Sequence, residues 1–188
     1  MEITPLRGKL LVEIIPDIKR TESGLYIAET VKDIPHRGRV LTLGLPFRDD
    51  KDRQYEWDIA EDEIVHFKRN WTAQQGTHII LKRDEIFAAE RGGCVMAVQD
   101  FVIVKRVYTG KIGSSTLIIP DMAETKSNTE DFYGLVIDVG IENKMGIKAG
   151  DKLLYHRNEG QLVKLPNRDE YFSLKPRAIL ALFCEQTQ

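Results

Sequence analysis

Cysteine is nearly absent from this chain. Cys94 and Cys184 are the only two in 188 residues, and neither has metal-type or redox-type spacing. That excludes a disulfide framework and a cysteine-built metal centre, and it suits a reducing compartment. Charge of one sign is also lacking. The formal net charge is −2, which argues against a nucleic-acid surface, usually marked by basic excess. Lys68-Arg69 and Lys82-Arg83 are short pairs that read as solvated strand ends. No apolar run approaches the roughly 18 residues of a membrane span. The N-terminal MEITPLRG lacks a charged region followed by an apolar one. The expectation is a cytoplasmic protein without nucleic-acid or membrane partners. Helical period with caps at both ends is missing as well. Lys82–Glu90 comes nearest, but its counterpart holds Pro176, which breaks a helix.

Catalytic constellations are not found. His36, His66, His78 and His156 fall at unrelated places, with His66 and His156 read as near-equivalent strand-end residues. Asp49-Asp50 and Glu61-Asp62-Glu63 sit in polar turns, too few for a metal site. Gly110-Lys111-Ile112-Gly113-Ser114-Ser115 lacks the residue order of a phosphate loop. No catalytic, cofactor-binding or metal residue is assigned, and the chain is read as a non-enzyme. Asn70-Trp71-Thr72 fits a glycosylation pattern that has no meaning without secretion. Trp57 and Trp71 both fall in the first half and are expected to be at least partly buried.

What is present is a repeat. Gly38-Arg39-Val40-Leu41-Thr42-Leu43-Gly44 returns 96 positions later as Gly134-Leu135-Val136-Ile137-Asp138-Val139-Gly140. Leu10-Leu11-Val12-Glu13 returns 92 positions later as Val102-Ile103-Val104-Lys105, and Leu25-Tyr26-Ile27 as Leu117-Ile118-Ile119 at the same offset. Glu63–Phe67 is matched to Lys152–His156 at an offset of 89, and Glu85–Ala88 to Ala178–Ala181 at 93. An internal repeat this long means two similar domains, 1–94 and 95–188. Constant strands with shifting offsets place the length changes in loops, where they are tolerated.

Short runs rich in Val, Ile and Leu, bounded by turn residues, predict strands. In the first half these are Lys9–Ile14, Gly38–Leu43, Glu63–Phe67, His78–Leu81 and Glu85–Ala89. The second half offers Phe101–Val107, Gly134–Val139, Lys152–Tyr155, Gln161–Val163, Tyr171–Leu174 and Ala178–Phe183. The fold class expected is all-β, with one small Greek-key barrel per half. Between strands, the polar segment 108–131 carries three aliphatics in a setting that cannot order itself, which predicts a mobile, functional loop.

The order of these motifs resembles the small co-chaperonins of the GroES type, here as a tandem pair covering nearly the whole chain. Pro5-Leu6 precedes the first strand. Ser23-Gly24-Leu25-Tyr26-Ile27 and Ser115-Thr116-Leu117-Ile118-Ile119-Pro120 are similar to the family's mobile-loop tripeptide. Arg37-Gly38-Arg39-Val40 with Gly44, and Tyr133-Gly134-Leu135-Val136 with Gly140, resemble its Gly-x-Val strand. Lys148-Ala149-Gly150-Asp151 matches its turn, where the first copy has Ala60-Glu61-Asp62-Glu63 without glycine. The family's roof hairpin has room at 45–58 in the first copy. Ile141–Ile147 leaves only a short roof segment in the second. Gly8 stands where the family has Asp, and such departures suggest a divergent, viral-type relative.

The resemblance implies a homo-oligomeric ring that lids a large, GroEL-like, ATP-dependent chaperonin and assists protein folding. Leu25, Tyr26, Ile27, Leu117, Ile118 and Ile119 are then the expected partner-binding residues. An extended apolar segment can lay alternate side chains into a partner's groove. Ordering such a loop costs about 2–5 kcal/mol, and several loops on one ring restore avidity by roughly 10²–10⁴. The alternative is a structural, virion or assembly protein that reuses the barrel for permanent subunit contacts. A dehydrogenase with a GroES-like domain is excluded, because no strand–Gly-x-Gly-x-x-Gly–helix unit is present.

Overall fold

The computed structural model describes residues 3–15, 36–48, 54–68, 74–107, 131–156, 159–166 and 169–183. The chain divides into two compact units, Met1–Val98 and Gln99–Gln188. The first unit holds β1 (Lys9–Ile15), β2 (His36–Leu43), β3 (Phe47–Arg48), β4 (Gln54–Tyr55), β5 (Ile64–Phe67), β6 (Gln74–Gln75), β7 (His78–Lys82), β8 (Ile86–Arg91) and β9 (Cys94–Met96). The second holds β10 (Val102–Arg106), β11 (Asp131–Val139), β12 (Lys152–His156), β13 (Gln161–Lys164), β14 (Glu170–Leu174) and β15 (Ile179–Phe183). The expected strands are all found, within a few residues at their ends. No α-helix occurs among the described residues; the helical rival at 82–90 is a 3-10 turn, Arg83–Glu85, running into β8.

Both units share one topology. The first sheet runs β6-β7-β1-β2-β5-β8-β9 and the second β13-β14-β10-β11-β12-β15, with antiparallel pairing throughout. Within each, β7-β1-β2-β5 and β14-β10-β11-β12 follow the Greek-key order, in which the fourth strand returns beside the first. Closure follows from chain length. β7 and β8 are four strand steps apart, about 19 Å in a flat sheet at roughly 4.8 Å per step. Only the 3-10 turn Arg83–Glu85 joins them, and three such residues advance about 6 Å. The sheet must therefore curl into a barrel. Pro176–Ala178 imposes the same closure between β14 and β15. Proline suits its first position, where no N–H is needed.

The register fixes which residues are equivalent. Val12 opposes Val40 and Val104 opposes Val136, each just past a one-residue register shift, at Leu11/Val12 and Ile103/Val104. A second shift recurs at His66/Phe67 and Leu154/Tyr155. Bulges of this kind bend and twist a strand, which aids closure. Gly38 pairs with Val65, and Gly134 with Leu153. The middle-strand offset is thus 88, not 89. His66 corresponds to Leu154 rather than to His156, so the two histidines are not equivalent. The core confirms the pairing: Val12 and Val104, Val40 and Val136, Val65 and Leu153, Phe67 and Tyr155 are all essentially inaccessible. Gly38 and Gly134 are required for close approach. A Cβ on Gly38 would lie 2.3 Å from Val12 Cγ1, and one on Gly134 would lie 3.0 Å from Val104 Cβ.

Candidate functional site: the strand ends that carry two apolar segments

β1 and β2 form a hairpin whose last pair is Ile15 with Arg37. β10 and β11 form its equivalent: Arg106 pairs with Gly134, and the Val107 amide donates to the Tyr133 carbonyl at 3.1 Å. The chain connecting each hairpin carries one candidate tripeptide. Leu25, Tyr26, Ile27, Leu117, Ile118 and Ile119 all lie outside the described residues. The described strand ends nevertheless show how the two segments are attached.

The two attachments differ in chemistry. In the first unit a carboxylate sits between two bases. Arg37 Nε and Nη2 donate to Glu90 Oε1 and Oε2 at 2.6 and 2.8 Å. His66 Nε2 lies 2.7 Å from Glu90 Oε1. A carboxylate only accepts, so Nε2 is the donor. The side chains of Glu90 and His66 are 6% and 2% exposed, so both are desolvated, while Arg37 reaches solvent. Burial pushes the Glu90 carboxyl up, but the hydrogen bonds from His66 and Arg37, with their positive charge, outweigh it. The carboxyl lies at about 2, against an ordinary 4.5. The two-pronged guanidinium contact is the strong form of such a bond.

In the second unit Tyr133, Leu154 and Phe183 hold the equivalent positions, since Gly134-Leu153 and Lys152-Phe183 pair as Gly38-Val65 and Ile64-Glu90 do. Tyr133 packs on Phe183 with ring centroids 5.6 Å apart. Here the cation lies instead at Arg106, the last residue of β10. Its guanidinium carbon is 3.6 Å from the Phe132 ring centroid and 4.5 Å from that of Phe172. Cation–π contacts at this range contribute about 0.5–2 kcal/mol. The first unit has Ile14 and Ile79 at the positions of Arg106 and Phe172, so no such clamp forms there.

Past the Gly-x-Val strand, the units differ again. The first carries the two-stranded β3–β4 ribbon within 45–58, with Phe47 opposite Tyr55. Trp57 is half-buried, and its Nε1 donates to the Gly44 carbonyl at 2.8 Å. Trp71 lies outside the described residues. The second has no strand between Val139 and Lys152. Asn143 organises that segment, with Nδ2 donating to the Asp100 carbonyl and Oδ1 accepting from the Met145 amide, both at 2.9 Å. Leu45 and Ile141 are equivalent and strongly exposed, 65% and 78%.

The turn into β5 and β12 is conserved in geometry where the glycine is not. Gly150 has φ +93°, and Asp62 adopts φ +67° at the equivalent position. Asp62 and Gly150 amides both donate to the facing valine carbonyl, Val40 or Val136, at 2.9 Å. The acid after each one caps the turn: Glu63 accepts from the Ala60 amide, and Asp151 from that of Lys148. The Glu61-Asp62-Glu63 acids thus serve a turn. Among the described residues no group of three or more metal-type side chains converges.

The sheet edges complete the picture. Gly92 and Gly93, with φ +58° and +81°, turn β8 back into β9, with Glu90 opposite Val95. Positive φ at both central residues is what a tight two-residue hairpin turn needs. β15 has no such covering strand among the described residues, and Leu180 and Leu182 are 43% and 37% exposed. No helix among the described residues is long and apolar enough to cross a membrane.

The family model described as "Chaperonin 10 Kd subunit" matches the chain twice, over residues 2–90 and 94–183. The chain belongs to this family. Its two units are tandem GroES-like barrels. It is 35% identical to the co-chaperonin GroES of Corynebacterium kroppenstedtii over 69 residues, 37% of this chain and 70% of that one. The co-chaperonin GroES of Bifidobacterium longum is 34% identical over 73 residues, 38% of this chain and 75% of the relative. That of Rhodothermus marinus is 32% identical over 85 residues, 45% of this chain and 80% of the relative. One such relative corresponds in length to about one unit, so this chaperonin 10 chain carries the family's barrel twice.

Proposed function

We propose that this protein is a co-chaperonin whose chains assemble into a ring, lid a GroEL-like ATP-dependent chaperonin and so assist protein folding. The observation that carries the reading is the duplicated hairpin. Two barrels hold tripeptide-bearing segments between the same register positions, Ile14 opposite Gly38 and Arg106 opposite Gly134. Leu25-Tyr26-Ile27 and Leu117-Ile118-Ile119 are the proposed contacts. Full insertion of one tripeptide is worth on the order of 5–8 kcal/mol of transfer free energy, much of it offset by ordering. Weak single contacts multiplied around a ring suit a lid that binds and leaves. The uncovered edge of β15 is the proposed site of strand pairing between chains. The first barrel, which carries the β3–β4 ribbon, is the proposed contributor to a roof.

The test is a nucleotide-dependent complex. The chain is mixed with a GroEL-like chaperonin and ATP or ADP, and association is followed by sedimentation. Ile118→Asp is expected to abolish the complex while the melting temperature stays unchanged; Tyr26→Asp is expected to weaken it less. An unchanged complex with a melting temperature lowered by many degrees would make Ile118 a core residue and remove the site. A permanent assembly of the chain, indifferent to chaperonin and nucleotide, would favour the structural role instead.

A further inference from the structure

The Arg37–Glu90–His66 cluster exists in one barrel and is replaced by Tyr133, Phe183 and Leu154 in the other. The same fold has therefore adopted an ionic and an apolar solution at one place. Among the described residues, Arg37 faces Glu90 from β2 and His66 from β5; its cross-strand neighbours on β5 and β9 are Ile64 and Val95, which do not titrate. On β2, Arg39 is exposed; on β8, Arg91 binds Glu63 instead; on β9, Cys94 is exposed. Arg37 stands at the start of β2, opposite the last residue of β1.

We propose that this cluster is an acid-sensitive latch of the first barrel alone: protonating Glu90 breaks its ion pair with Arg37 and loosens the ends of β1 and β2 that Arg37 joins, while the second barrel stays closed. Protonation removes the negative charge that the two donors share. It leaves Arg37 and His66 facing a neutral acid. A carboxyl held below its ordinary value takes up its proton on opening. The latch is therefore fully engaged above about pH 4.5 and is lost as pH falls toward about 2. Tyr133, Leu154 and Phe183 offer no carboxylate to protonate at the equivalent place.

The test uses the full-length chain. Both tryptophans, Trp57 and Trp71, lie in the first unit, so their emission reports on that barrel. Hydrogen exchange by mass spectrometry, corrected for the intrinsic pH dependence, reads β2 and β8 against β11 and β15. Between pH 6 and pH 3, β2 and β8 are expected to lose about tenfold or more in protection, with a change in tryptophan emission, while β11 and β15 hold. Glu90→Gln is expected to show the same loss in the first barrel at pH 7. Replacing the cluster by the second barrel's residues (Arg37→Tyr, His66→Leu, Glu90→Phe) is expected to remove the acid step. Equal loss in both barrels at one pH would overturn the latch. So would wild-type protection in Glu90→Gln at pH 7, a result that decides the matter even if the triple variant fails to fold.

Discussion

Adding one methyl group at Gly38 should damage the first barrel more than the same change at Gly134 damages the second. The new Cβ on Gly38 would sit 2.3 Å from Val12 Cγ1, 2.8 Å from the Glu13 carbonyl oxygen and 3.2 Å from Phe67 Cε1. Carbon atoms at rest lie about 3.5–4.0 Å apart. Val12 cannot turn away freely, being β-branched, and the Glu13 carbonyl belongs to the backbone of β1. The strands must part by more than 1 Å, so the expected cost is about 3 kcal/mol, the upper end for overpacking. At Gly134 the contacts are 3.0 Å to Val104 Cβ and 3.2 Å to both Val104 Cγ2 and Tyr155 Cε1. A shift of a few tenths of an ångström relieves them, for about 1 kcal/mol. Gly76→Ala is the control: it meets nothing within 4 Å but must hold φ +64°, which costs about 1 kcal/mol through the backbone alone. Urea unfolding followed by tryptophan emission reads the first barrel. With a slope of about 1.5 kcal/mol/M, Gly38→Ala should lower its midpoint by about 2 M. Amide exchange of β11 and β12 reads the second. If Gly134→Ala costs as much as Gly38→Ala, or if both cost under about 0.5 kcal/mol, the close-approach argument is wrong.

Asp62→Gly should stabilise the first barrel by about 0.5 kcal/mol, the left-handed penalty less the extra entropy of glycine, measured by urea unfolding. Trp57→Phe should cost about 1 kcal/mol by loss of the indole bond to the Gly44 carbonyl; a neutral result would mean that water replaces it. The depressed Glu90 carboxyl stabilises the first barrel above pH 4.5 and less as the pH falls toward 2. Discounted because Arg37 reaches solvent, the stabilisation amounts to about 1–2 kcal/mol, and Glu90→Gln should flatten stability against pH by that amount.

The repeat was legible because strands keep their residues while loops change length. Gly-x-Val and the aliphatic first strand carried the alignment, and both recur with the same bulge. The middle strand was misread by one residue. Ile64–Phe67 and Lys152–Tyr155 are short and carry large apolar residues on both faces, so residue type alone does not fix their register. A slip of one position exchanges the two faces of a strand, and only the pairing of Gly38 with Val65 and Gly134 with Leu153 resolves it. β3, β4 and β6 have two residues each and carry no period to read. β9 did leave a signal, Gly92-Gly93 between flanking strand residues, which is a hairpin turn signature that went unread. The Arg37–Glu90–His66 cluster has no sequence motif. Its members come from three neighbouring strands, β2, β5 and β8, far apart in sequence and joined by sheet pairing, and their counterparts in the second copy share no chemistry with them.

Two barrels of one topology on one chain face a hazard during folding. Each strand of the shared Greek key has a near twin that could pair in its place, and β1 must wait for β7, more than sixty residues away, before its barrel closes. Exchange of like segments within tandem repeats is a characteristic route to misfolding. The unlike chemistry of the two barrels works against it. If β11 replaced β2, Tyr133 would face Glu90 and His66, and a desolvated carboxylate would lose its guanidinium, at a cost of about 3 kcal/mol or more. If β2 replaced β11, Arg37 would face Leu154 and Phe183. Charge at one copy of a position and aromatic carbon at the other thus mark each strand for its own barrel, and the divergence of the repeat becomes a means of keeping its halves apart.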